Sequence, residues 1–102
     1  MYDAVKKGEV DVIPGFTTDS RIELFDLVTT EDNQEFFPKY DAVPLVRQEV
    51  LDEMPKLEEA INQLAGEITE EDMLEMNAKV DVDEEKPEDV AKAFLQEKGL
   101  IE

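Results

Sequence analysis

The chain contains no cysteine and no histidine. Without cysteine there is no disulfide frame, no thiol nucleophile, no zinc–thiolate cluster and no iron–sulfur site. Without histidine, Ser-His-Asp and Cys-His catalysis cannot be assembled from this chain alone, and no side chain titrates near neutrality. Long apolar runs are also missing. The longest is only a few residues, so no membrane span is expected. No apolar segment follows Met1, so no signal peptide is read there. Positive charge is scarce, with 10 basic against 28 acidic residues and a net charge of −18. Such a field repels phosphate backbones and anionic lipid heads, so no nucleic-acid partner and no polybasic-type membrane binding is expected.

What is present suffices for a small core. The 102 residues are 41% hydrophobic, which separates the chain from disordered sequences and gives it the length of one small domain. The charge is uneven: residues 1–47 carry ten acidic and five basic side chains, and residues 48–102 carry eighteen and five. The first half has β-branched and aromatic runs broken by Pro and Gly, and the second is written in Glu, Leu, Ala and Lys.

Residues Tyr2 to Lys7 read as a short helical turn that Gly8 can close in the left-handed conformation. Val10, Val12 and Ile13 suggest a strand stopped by Pro14-Gly15. Thr17, Thr18, Asp19 and Ser20 all favour helix starts and lead into Arg21-Ile22-Glu23-Leu24. Phe25 to Thr30 is rich in β formers and predicts a second strand, and Tyr40 to Val46 predicts a third, which Pro44 confines to an edge or crossover.

Three helices are expected after that. From Pro55, Leu57, Ala60, Ile61 and Leu64 recur at helical spacing up to Gly66. Thr69 and Asp72 form a near capping box before a helix facing inward with Met73, Met76 and Val80. Pro87 starts the last helix, with Val90, Ala91, Phe94 and Leu95 on one face and Gly99 closing it. Glu70, Glu71, Asp72, Glu88 and Asp89 fall in first turns, where the helix dipole favours negative charge. Much of the acidity is thereby explained as solvated helix starts and faces.

Several chemistries fail on spacing. A calcium loop counted from Asp81 needs glycine and glutamate where this chain has Lys86 and Lys92. Acidic residues abound, but nothing marks a pair whose environments would separate their pKa values, so no catalytic residues are assigned. Arg21 and Arg47, the two arginines, are expected to pair within the chain. Among the aromatic residues, Phe94 and Phe25 are expected in the core. Phe16 follows a turn at a strand end and Tyr40 opens a strand after a loop. Strand ends are where α/β proteins place ligand contacts, so these two rings are the candidates.

Five blocks carry a resemblance: Tyr2-x-Ala4, Gly8-Glu-Val-Asp-Val12, Gly15-Phe-Thr-Thr-Asp-Ser-Arg-Ile22, Phe36-Phe-Pro38 with Tyr40-Asp-Ala-Val-Pro-Leu-Val-Arg47, and Met76-Asn77-x-x-Val80. In order and across essentially the whole chain, they resemble the C-terminal part of the glycine betaine/choline/proline-betaine (osmoprotectant) binding proteins of ABC importers. The resemblance implies an α/β chain, the C-terminal portion of a type II periplasmic-binding-protein fold. Short strands would lie in its first half and three helices in its second. Residues 1–24 would be the tail of the second lobe with the hinge approach. Residues 25–102 would be the hinge crossing and the C-terminal half of the first lobe.

The implied function is extracytoplasmic capture of a quaternary-ammonium osmoprotectant for an ABC permease, with no cofactor, no metal and no enzymatic activity. Phe16 and Tyr40 would be two walls of an aromatic cage around the cation, Phe16 standing where many relatives have Tyr. Thr17, Thr18 and Asp19 would border the cleft, with Thr18 the foremost polar contact. Strands lacking partners would drive a homodimer or higher assembly. The competing expectation is a stand-alone acidic helical module that binds a basic protein through residues 48–102.

Overall fold

The computed structural model describes all 102 residues. Six helices follow one another: α1 (Tyr2–Lys6), α2 (Arg21–Leu24), α3 (Gln48–Glu53), α4 (Lys56–Asn62), α5 (Glu70–Asp81) and α6 (Pro87–Glu97). The chain divides into two compact units, one made of Met1–Thr29 with Thr69–Glu102 and the other of Thr30–Ile68.

In the first unit α5 is the central element, packed against both α2 and α6. Its start is set locally. The Thr69 hydroxyl accepts from the Asp72 N–H at 3.0 Å while the Asp72 carboxylate accepts from the Thr69 N–H at 2.9 Å, the reciprocal pair expected from the sequence. Pro87 begins α6, where its missing N–H costs nothing. The helix ends with Gly99 at φ 70°, which lets Gly99 and Leu100 donate back to the Gln96 and Leu95 carbonyls at 3.0 and 2.9 Å. Tyr2, Ala78 and Val90 are buried, and Met73, Leu74, Met76, Val80, Phe25, Phe94 and Leu95 surround them half-buried. Ala91, read as part of the inward stripe, is exposed.

In the second unit α3 packs on α4; Val50, Leu51, Leu57, Ile61 and, just past α4, Leu64 are half-buried, and Ala60 is exposed. The pattern from Pro55 to Gly66 forms α4 followed by turns. Helix α3 was not expected. It follows an extended Arg47 and is bridged by the Gln48 amide donating to Asp52 at 2.9 Å, an i,i+4 contact.

The α/β expectation is overturned, because no residue lies in a strand. Outside the helices every backbone hydrogen bond runs to a carbonyl no more than six residues earlier, so no ladder joins distant segments. A strand exists only through a neighbour, and β propensity expresses how a residue fits a shared, half-buried surface. Val10–Ile13, Val28–Thr30 and Tyr40–Val46 have no such neighbour, and Val28 and Leu45 are 91% and 93% exposed. Phe25 fails as a strand start for a second, local reason. It caps α2, and Asp26 at φ 52° takes the left-handed position so that Asp26 and Leu27 donate to the Glu23 and Ile22 carbonyls at 3.1 and 2.8 Å. Aspartate tolerates that conformation better than most side chains, so it serves here where Gly99 serves α6.

Candidate functional site

The candidate residues of the first unit lie on two overlapping turns. The Asp19 N–H donates to the Phe16 carbonyl at 3.1 Å, and the Ile22 N–H donates to the Asp19 carbonyl at 3.0 Å. Thr17, Thr18, Asp19 and Ser20 all favour helix starts. Asp19 fills that role by accepting from the Arg21 N–H at 3.0 Å, just ahead of α2.

Asp19 is also held by the Arg21 side chain. Nε and Nη2 donate to its two carboxylate oxygens at 2.9 and 2.8 Å, a two-pronged grip and the intramolecular pairing expected for Arg21. The guanidinium lies 4.1 Å from the centre of the Tyr2 ring, whose phenol interacts electrostatically with the same carboxylate. The Arg21 hydrogen bonds, opposed by partial burial and helped by Tyr2, lower the Asp19 pKa to about 2. Burial and the adjacent carboxylate push the Tyr2 phenol up.

Two side chains of α5 reach the turns from far along the chain. Asn77 Nδ2 donates to the Thr18 carbonyl at 2.7 Å, and the buried Ser20 hydroxyl donates to Asp81 Oδ2 at 2.8 Å. Phe16, Thr18, Asp19, Ser20, Asn77 and Asp81 line an open depression of about 600 Å³. Phe16 remains 63% exposed at its mouth, and Thr18 is half-buried. Because Asp19 and Arg21 satisfy each other, the conspicuous uncharged element here is an aromatic ring.

The structure thus brings Phe16, Thr18 and Asp19 to one depression. Thr17 is exposed on the same turn and does not line it. Tyr40 belongs to the other unit, on a helix-free stretch, and is 83% exposed. Upstream of Tyr40, the Asp32 carboxylate accepts from the Phe36 and Phe37 N–H groups at 3.0 and 2.9 Å, and these two rings meet edge to face at 5.1 Å. Sequence reasoning missed Tyr2, Asn77 and Asp81 as parts of the site. The available sign was an Asn and an Asp four apart on one helix face, beside an apolar stripe. No group of three or more acidic side chains is placed to hold a metal ion, and no helix is long and apolar enough to cross a membrane.

Residues 1–97 match the model of the substrate-binding domain of ABC-type glycine betaine transport systems. The chain belongs to this family. That family is a transport binding domain and not a class of enzymes. Carnitine transport binding protein OpuCC of Listeria monocytogenes is 38% identical over 102 residues, all of this chain and 33% of that protein. A glycine-betaine-binding protein of Pseudomonas aeruginosa is 32% identical over the same 102 residues, again 33% of its length. The ergothioneine transport permease/ergothioneine binding protein EgtU of Helicobacter pylori is 32% identical over 99 residues, 97% of this chain and 18% of that protein. The chain therefore spans about a third of the length of the first two relatives.

Proposed function

We propose that these residues serve an extracytoplasmic substrate-binding protein that delivers quaternary-ammonium compounds to an ABC permease. The observation that carries this reading is the family match over residues 1–97, which includes the Phe16 turn, Tyr40 and the acidic helices together. A stand-alone acidic interaction module is the weaker account, because it leaves the aromatic blocks without a role. Carnitine, glycine betaine and ergothioneine, for which the relatives are named, each combine a trimethylammonium group with a carboxylate. A cation without N–H groups offers no hydrogen bond, so ring faces suit it, at about 0.5–2 kcal/mol each.

In this reading Phe16 and Tyr40 are two cage walls, and Thr17, Thr18 and Asp19 border the cleft with Thr18 nearest in role to a polar contact. Arg21 is committed to Asp19, so the ligand carboxylate is held elsewhere in the protein. Residues 1–24 would be the tail of one lobe and residues 25–102 the hinge crossing and C-terminal half of the other. The family suggests a periplasmic-binding fold for the whole protein, while the extended segments around Val10, Val28 and Leu45 stay exposed in this chain. The 102 residues by themselves would cover those segments by pairing with a second copy. A monomer by light scattering that unfolds cooperatively counts against that pairing.

Calorimetric titration of the full-length protein with glycine betaine, carnitine and choline tests the function. Binding of at least one is expected, and no binding of any of them overturns the reading. The 102 residues alone should bind negligibly, because part of a cage leaves the cation in water.

A further inference from the structure

We propose that Asn77 and Asp81 of α5 are positioning residues for ligand capture, holding the Phe16–Ser20 turn so that the Phe16 ring is fixed at the depression. The inference rests on the reading of Phe16 as a cage wall.

Asn77 and Asp81 are four apart on α5 and so share a face. They take hold of alternate residues of the turn, the Thr18 carbonyl at 2.7 Å and the Ser20 hydroxyl at 2.8 Å. Their partners lie 59 and 61 residues earlier, so these are tertiary anchors and not local turn bonds. Between the two anchors Asp19 is gripped by Arg21. Thr18, Asp19 and Ser20 are thereby each tied at a different atom, and the Phe16 carbonyl is tied to Asp19 in turn.

A surface turn held only by i to i+3 bonds opens easily and samples many ring positions. One fixed from outside has lost that freedom before the ligand arrives, which lowers the ordering cost of binding. Neither anchor involves the ring itself. Their effect on a cation must pass through the position of Phe16, and that separates positioning from contact.

The test uses the full-length protein titrated with glycine betaine by calorimetry, in a double-mutant design. Asn77→Asp keeps the side-chain shape but removes the donor. Asp81→Ala removes the acceptor, and Asp81→Asn keeps an oxygen that can accept from Ser20. Each is measured alone and with Phe16→Leu, which keeps apolar volume without a ring face. Asn77→Asp and Asp81→Ala are expected to raise Kd about 3- to 10-fold, the effect of one hydrogen bond. Asp81→Asn should stay near wild type, and the losses should vanish in the Phe16→Leu background. Losses of the same size in that background overturn the positioning role and leave the cage intact. Unchanged Kd in the Asn77→Asp and Asp81→Ala single variants also overturns it. An unchanged Kd for Phe16→Leu alone overturns both the inference and the cage reading. Should Asn77→Asp not fold by circular dichroism, the Asp81 pair decides.

Discussion

Arg21 grips the Asp19 carboxylate with Nε and Nη2 at 2.9 and 2.8 Å while its guanidinium covers the Tyr2 ring at 4.1 Å. The carboxylate is only 17% exposed and the guanidinium 51%, so one partner is sheltered and the other reaches water. A cation that is already paired, and that shields a ring, ties the N-terminal helix to the turn bearing Phe16.

Acid stability follows from that pair. The folded Asp19 pKa, about 2, lies below its ordinary value of 3.8. A depressed carboxylate stabilises the fold above its unfolded pKa, and that contribution is lost as pH falls through the folded one. Urea midpoints measured from pH 5 to pH 2 should fall, and Asp19→Asn should flatten part of the fall. Discounted for the exposure of Arg21, the contribution is about 1 kcal/mol. An identical pH profile in the variant would show that the pair contributes nothing.

Gly15 lies against Tyr2. A β-carbon at Gly15 would sit 2.8 Å from the Tyr2 hydroxyl oxygen and 3.7 Å from the ring carbon that bears it. Tyr2 is buried beneath Arg21, so the hydroxyl cannot simply swing aside. Gly15→Ala should cost about 1–2 kcal/mol, the usual penalty for overpacking. In a Tyr2→Phe background the same change should cost almost nothing, which thermal melts of the four proteins would reveal.

The start of α5 rests on the Thr69–Asp72 reciprocal pair. Thr69→Ala removes the acceptor for one otherwise unpaired N–H and should cost about 1 kcal/mol. For a unit of this size that lowers Tm by about 4–8 °C. Thr69→Ser should retain most of the stability, since the hydroxyl is the working group.

Ligand recognition is checked through the rings. In the full-length protein Tyr40→Ala should weaken binding of glycine betaine or carnitine about 10-fold or more, as expected for a desolvated ring beside a cation. Phe16→Tyr should preserve or improve affinity, because the ring face is kept and gains electron density. Calorimetry reads both, and silence in both removes these residues from the cage.

The helices were legible because their causes are local. A Thr and an Asp three residues apart, a proline at a first turn and a glycine just past a last turn act over one or two turns of backbone, all visible in order along the chain. The expected strands do not form, because β propensity at Val10, Val28 or Leu45 becomes structure only beside another strand. The sequence alone also pointed to Phe16 as a ring beside a polar turn and to the family by its blocks. Tertiary structure alone decided what holds that turn. Asn77 and Asp81 reach Thr18 and Ser20 across 59 and 61 residues, and no periodicity announces a contact at that separation. A hydrogen bond between distant residues depends on how α5 packs. Packing is a property of the whole unit and not of any window of sequence.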